Sequence, residues 1–550
     1  MRLDKYGKIF INYIYSRLVF FEMIFPVLFL FLILGIYIYK PLYLIFGSPE
    51  FTALNIITNK QAWLLANFII TVISMCLMLF IAYIIRKRKI AVNIGEKTEK
   101  IIVNSVILCF FILIFINKLS LFSDATSFDN TAVRVGAYGI MKNGVIPENI
   151  QDYLLFSRNN RCIVLLLGLL GRFANNLLIQ YRLLWIFVDS IFITLAVLFV
   201  YLTVKLFCNS QVSLITLILT AAFLVFSACI TPLANTRGDW YTCYTDSSSM
   251  PFTAISVYCF TRFIAINNDN RRKDILVLLG SVSSAVGSLF KPTALITVIA
   301  FVLILILKGK DAVKNRNIFK NAAIVIFGLC LVIIPFEKIY DRFFLTIGSK
   351  PSASIGHFLI LGMLNARQNI NENGVMVFKD TPSLDPFKNR GRWNYAEAGF
   401  PIKQVLKERL KYMNIRLPGF YYLKDVNNLS FTYGFHSSVF SRRNSPVSFY
   451  RTPFLRKWRA VILEIQIPVR AVLWNIIFWQ IGIWAYSLFK NKIKLSPAES
   501  LLSLTMLGVF GYLTLFESGD RYVMQFWPVF LIVSSLGLMC LQKHEPSTNI

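Results

Sequence analysis

Four short groups of residues place charge directly against long apolar runs, where a charge is costly unless it is used or paired. The first runs Phe122-Ser123-Asp124-Ala125-Thr126-Ser127-Phe128-Asp129. A carboxylate at Asp124 can take a proton from an attacking hydroxyl; a Ser-Asp pair is equally a helix N-terminal signal. The second, Tyr244-Thr245-Asp246, stands just before an apolar run that begins near Ser249, and Asp246 has the same two readings. The third is Phe290-Lys291-Pro292-Thr293, between two apolar runs; Lys291 is the only charge between Asp274 and Lys308. Such a cation suits an anionic headgroup or phosphate, or else snorkels to an interface. The fourth is Phe516-Glu517-Ser518-Gly519-Asp520-Arg521-Tyr522. Arg521 can grip a phosphate with two parallel N–H bonds, oriented by Glu517 or Asp520, although an ordinary ion-paired turn has the same composition.

The elements that carry these groups are apolar stretches near 20 residues, the length that crosses a bilayer as a helix. In 550 residues, 56% of them hydrophobic, the pattern predicts an all-α polytopic membrane protein with twelve full spans. These are 18–45, 63–85, 101–118, 183–204, 211–230, 249–266, 275–290, 292–308, 320–336, 471–489, 497–515 and 525–541. The polar, basic start followed by a long apolar run with no small-residue cleavage site reads as a retained anchor. Basic connections belong in the cytoplasm. With Met1 inside, the basic stretches 86–89, 271–273, 308–320 and 490–494 all stay inside provided that the short apolar segment 161–175 does not cross. That segment is therefore expected to be re-entrant or surface-lying, and both termini cytoplasmic. The four groups then share the outer side.

Outer regions follow at 119–182, 231–248 and 516–527, with a long one at 337–470 that carries about 21 basic and about 9 acidic residues. Long loops translocate largely regardless of charge; an anionic ligand, or anionic lipid headgroups and cell-wall polymer, would account for the excess. Within it, residues 401–413 put Ile402, Val405, Leu406, Leu410 and Met413 on one helical face and Lys403, Lys407 and Lys411 on another, the pattern of a helix lying on a membrane. The net charge of +29 is thus topological and does not call for nucleic acid. Nine cysteines, mostly in apolar runs, form no metal-like spacing or disulfide framework, and three scattered histidines, His357, His436 and His544, argue against a protein-built zinc site. The expected organisation is two spans in 1–100, a core in 101–336, the loop region 337–470, and closing spans with a short tail in 471–550.

In their order and common side, the four groups resemble the glycosyltransferase C superfamily of polyprenyl-phosphate-sugar-dependent membrane enzymes. The similarity is to the bacterial relatives of protein O-mannosyltransferases and lipid A aminoarabinose transferases, in a Gram-positive-like branch. Ser123-Asp124 resembles the acidic residue of that family's first outer loop. Arg158-Asn159-Asn160 resembles a Tyr-Pro-Asn-Asn element, with Arg158 where Pro is expected. Tyr244-Thr245-Asp246 with Met250-Pro251-Phe252 resembles Tyr-Thr-Asp…Pro-Phe; Lys291-Pro292-Thr293 resembles Lys-Pro-Thr; Glu517…Arg521-Tyr522 resembles a closing Glu…Arg-Tyr. Gly356-His357 through Met363, ahead of Gly374 and Asp380, is similar to a His…Met-Gly-Leu element. The similarity covers about 101–541 and leaves two N-terminal spans outside it.

The resemblance implies an inverting transfer from a polyprenyl-phosphate sugar to an extracytoplasmic acceptor, a cell-surface glycan or lipid, in a bacterial cell membrane. It implies Asp124 as the general base, Lys291 and Arg521 on the departing phosphate, and Asp129 or Asp246 on acceptor or sugar, with Tyr244, His357, Glu517 and Tyr522 as further binding positions. No metal ligand set is specified, although a divalent cation is compatible with the chemistry, and no Gly-rich phosphate loop is present. The alternatives are a transporter or flippase for lipid-linked glycans, which should carry charges deep within several spans, and a polymerase or ligase with a similarly large outer loop.

Overall fold

The computed structural model describes residues 94–120, 128–176, 181–225, 245–266, 270–307, 316–343, 368–370, 376–378, 495–516 and 520–542, with most positions between 476 and 486 and a few isolated ones before residue 94. Several helices start ahead of the apolar windows that announced them: at residue 96 where 101 is expected, at 245 where 249 is expected, and at 270 where 275 is expected. Helix α1, Glu96–Ser120, starts in polar sequence. Its first turn carries Glu96 and Glu99, which favour a helix N-terminus, and Glu96 pairs with Lys100 at 2.8 Å one turn on. Backbone hydrogen bonding continues past the hydrophobic window, so 25 residues form where 18 were expected.

After α1 the chain forms three helices outside the twelve predicted spans: α2, Phe128–Asn143, α3, Glu148–Phe156, and α4, Arg161–Asn176. Gly144 takes φ 76°, a backbone that L side chains rarely adopt, and turns the chain between the first two. Helix α4 has 16 residues, about 24 Å at 1.5 Å each, short of a bilayer core of about 30 Å. Its inner face, Ile163, Val164 and Leu167, packs on Ala137 and Ile140 of α2, while Leu169 and Phe173 stay exposed.

The remaining helices are α5, Tyr181–Val204, α6, Ser210–Leu224, α7, Thr245–Ala265, α8, Asn270–Phe290, α9, Ile296–Leu307, α10, Arg316–Asp341, α11, Pro497–Leu515, and α12, Trp527–Gln542. A 3-10 turn, Pro292–Leu295, precedes α9, and another, Asp520–Phe526, precedes α12. Among the described residues five helices are long and apolar enough to cross a membrane: 96–116, 183–204, 270–290, 318–341 and 497–515. The chain is therefore a mostly helical integral membrane protein. One departure from an all-helical expectation is a short antiparallel strand pair, β1, Gln368–Ile370, and β2, Met376–Phe378, in register Gln368 to Phe378.

Helix α7 lies at the centre and packs on α5 and α8. It is rich in small polar residues, with Ser248, Ser249, Thr253 and Ser256 buried. Its hydroxyls bond locally and across helices. Ser256 meets Ser284 at 2.7 Å, Ser284 meets Thr297 at 2.8 Å, and Ser283 donates to the Phe252 carbonyl at 2.9 Å. Small residues let these backbones approach: a Cβ at Gly280 would lie 2.6 Å from the Phe260 ring, which is itself stacked on Phe301 with centroids 4.0 Å apart.

The two ends of the bundle differ. At one, Glu99 accepts from Tyr201 at 2.6 Å, Ser210 at 3.0 Å and Lys205 at 2.6 Å, and Lys320 reaches Asp274 at 2.5 Å. The basic residues 271–273, expected in a connection, form the first turn of α8 at this end. The segment 401–413 and the predicted spans 18–45 and 63–85 fall wholly or mostly outside the described residues, and 471–489 falls partly outside them.

Candidate functional site

The opposite end holds several of the residues that the sequence singles out. Asp246 is expected just ahead of a helix; instead α7 begins at Thr245 and Asp246 lies inside its first turn. Its carboxylate accepts from Lys291, which directly follows α8. Both side chains are buried, Lys291 at 6% exposure and Asp246 at 2%. Lys291 therefore neither reaches a surface nor stands alone: a carboxylate 45 residues earlier neutralises it.

Two residues on, Thr293 donates to Gln525 Oε1 at 2.7 Å across 232 residues of sequence. Gln525 belongs to the 3-10 turn Asp520–Phe526, whose backbone also carries Arg521 and Tyr522. This turn packs on α7. Two buried contacts thus join three separated stretches: the first turn of α7, the turn after α8, and the turn before α12. The aromatic rings of Phe192, Phe252 and Phe290 close the apolar side of the junction, with centroids 5.5 to 6.2 Å apart.

A second buried pair lies at the same end. Lys118, in the last turn of α1, donates to Asp189 of α5; they are 3% and 2% exposed. Each is the only charge in its apolar run, which is the signal that marked Lys291 and was left unused here. One carboxylate oxygen of Asp189, Oδ1, is buried without a donor. Leaving such an atom unsatisfied, and burying two charges at all, is poor stability design.

The α2–α4 layer is pinned here by Arg161. Its Nε donates to the Leu154 carbonyl at 2.9 Å, its Nη1 to Glu337 of α10 at 3.0 Å, and the guanidinium lies 5.1 Å from the Tyr340 ring. Burial pulls the Arg161 pKa below its usual value, the Tyr340 and Glu337 charges opposing it. The Ile146 amide donates to the Phe343 carbonyl at 2.8 Å, so the end of α10 is fixed to the same layer. Asn160, from the Asn159-Asn160 pair, is buried and donates to Tyr153.

The backbone of Asp129 lies in the first turn of α2, and those of Arg521 and Tyr522 in the last 3-10 turn. Asp124, Tyr244, His357 and Glu517 lie outside the described residues. Among the described residues no cluster of His, Cys, Asp or Glu is suited to hold a metal ion.

Bundle and charged end together define a mostly helical integral membrane protein with paired, buried charge gathered at one end and basic residues at the other. The chain belongs to a family described as "Conserved hypothetical integral membrane protein", which matches residues 13–418. No curated protein matches it. Solved structures similar to it include the oligosaccharyltransferase of Archaeoglobus fulgidus with zinc and sulfate, at 14% identity and TM-score 0.42 over 78% of this chain and 48% of that one. The Archaeoglobus fulgidus oligosaccharyltransferase AglB with an inhibitory peptide and a dolichol-phosphate is similar at 12% identity and TM-score 0.42, over 80% and 50%. The chain spans about half the length of these proteins.

Proposed function

We propose that the protein is a membrane glycosyltransferase of the glycosyltransferase C type. It moves a sugar from a polyprenyl-phosphate donor to a cell-surface glycan or lipid, on the extracytoplasmic side of a bacterial membrane. One observation carries the reading: the contacts of Asp246 with Lys291 and of Thr293 with Gln525 bring three of the motif groups together at one end of the bundle. That end is opposite the one holding Lys205, Lys320 and the 271–273 stretch, and the preference of basic residues for the cytoplasmic side supports an outer position for the junction.

The donor's lipid tail lies between helices and its headgroup at the junction. Asp124 takes the proton of an acceptor hydroxyl, and the oxygen attacks the anomeric carbon. The bond from that carbon to the phosphate oxygen breaks, polyprenyl phosphate leaves with the electron pair, and the configuration inverts. Lys291, held by Asp246, and Arg521 stabilise the phosphate as it leaves. Asp129 and Asp246 position acceptor or sugar, together with Tyr244, His357, Glu517 and Tyr522. Helix α4 lies in the outer leaflet and does not cross.

The mid-bundle composition favours an enzyme over a carrier. A translocation path through the membrane needs charges along it; among the described residues Ser256 of α7, Ser284 of α8 and Thr297 of α9 meet instead in a ring of hydroxyls. The test is reconstitution of the purified protein in liposomes with a polyprenyl-phosphate sugar and a cell-envelope extract as acceptor. Sugar transfer is expected. Movement of the lipid between leaflets without transfer to any acceptor would overturn the reading in favour of a flippase.

A further inference from the structure

The side chain of Gln525 is fully buried, and only its oxygen is engaged. Oε1 accepts from Thr293, whereas Nε2 has no acceptor among the described residues. Ser248, in the first turn of α7, is also fully buried with a hydroxyl that has no partner among the described residues. Buried polar groups are nearly always satisfied, and each exception calls for a reason. Both surplus donors lie in elements that meet at the Lys291 junction, since the turn bearing Gln525 packs on α7. Donors without acceptors beside a buried lysine and a helix N-terminus have the chemistry of an oxyanion site. Thr293 fixes the orientation of the amide: with its hydroxyl donating to Oε1, the NH2 group is turned to the other side.

We infer that Gln525 is a ligand-contacting residue that donates its free amide N–H to a phosphate oxyanion, with the Ser248 hydroxyl as a second donor. This rests on the donor class proposed above and adds to it. Gln525 selects the phosphate, because a neutral amide donor in a fixed place discriminates by geometry where a lysine acts as a point charge. A lipid phosphate and free phosphate share this chemistry.

The decisive comparison is between two variants that lose the same internal hydrogen bond. Thr293→Val removes the latch but keeps the amide; Gln525→Leu removes both. The probe is a short-chain polyprenyl phosphate, titrated into the purified full-length protein in detergent, with the unphosphorylated polyprenol and inorganic phosphate as separate arms. Gln525→Leu is expected to weaken polyprenyl phosphate binding about ten- to a hundredfold, the worth of a hydrogen bond to a charged group, and Thr293→Val much less. Polyprenol binding should be the same in all. Competition by inorganic phosphate at similar concentration would mark free phosphate as the ligand. Should Gln525→Leu not fold, Gln525→Glu keeps the acceptor for Thr293 and replaces the NH2 with oxygen; it too should lose binding. Equal losses in Gln525→Leu and Thr293→Val, or full binding by Gln525→Glu, would overturn the inference. Wild-type protein that binds no polyprenyl phosphate would instead overturn the proposed function.

Discussion

Removing one member of the Asp246 and Lys291 pair should damage the fold more than removing both. Each side chain is at least nine-tenths buried, so the screening that makes surface pairs nearly worthless does not apply. At an effective dielectric near 20, two unit charges about 4 Å apart attract by about 4 kcal/mol. A single Lys291→Met variant leaves the Asp246 carboxylate buried and uncompensated, at a cost of about 3–5 kcal/mol; Asp246→Leu does the same to Lys291. Combining them replaces two desolvated charges by apolar side chains of similar volume, which is often neutral or stabilising. Thermal unfolding of the purified proteins in one detergent should place both single variants several degrees below wild type and the double variant close to it. The double variant should nevertheless fail to bind a polyprenyl phosphate. Single variants as stable as wild type, or a double variant no better than the worse single, would refute the reasoning, because the pair would then not be a buried one.

Other consequences are as direct. A cysteine placed at Ser354 should react with an impermeant thiol reagent on intact cells, since 337–470 is expected to be external; labelling only after lysis would invert the topology. The native Cys162 should stay silent in that experiment, because burial pushes its thiol up to about 12 and leaves almost no thiolate at neutral pH. Gly280→Ala should lower the unfolding temperature, as the added Cβ meets a Phe260 ring that its stack on Phe301 prevents from swinging aside; overpacking of this kind costs about 1–3 kcal/mol. An unchanged melting point would mean that α7 and α8 pack less closely than described.

Much of the bundle is legible because apolar length is a strong signal: 497–515 was read to the residue, and 183–204 to within two. Three things were not. Helix ends overran the apolar windows wherever polar flanks could go on hydrogen bonding, which moved Asp246 from a cap position into α7. The α2–α4 layer was seen only in part. The inward residues of α2, such as Ala132, Val133, Ala137 and Ile140, are interleaved with polar ones and give no apolar run. The pairings were out of reach altogether, since 45, 71 and 232 residues separate the partners of Lys291, Lys118 and Thr293. A lone charge in an apolar run shows that a partner is needed without saying which, and Asp189 and Lys118 carried that mark as plainly as Lys291 did.

The central claim is that sugar transfer occurs at this end of the bundle with Asp124 as the base. It is tested by comparing wild type and Asp124→Asn for product formed from a polyprenyl-phosphate sugar by the purified protein. Asparagine matches aspartate in size and caps a helix about as well, so a structural cap would survive the change. It cannot accept the hydroxyl proton, and loss of general-base catalysis costs typically about 10²–10⁴-fold. The account predicts a rate reduced by that factor, with expression and donor binding near wild type. Full activity in Asp124→Asn would contradict it.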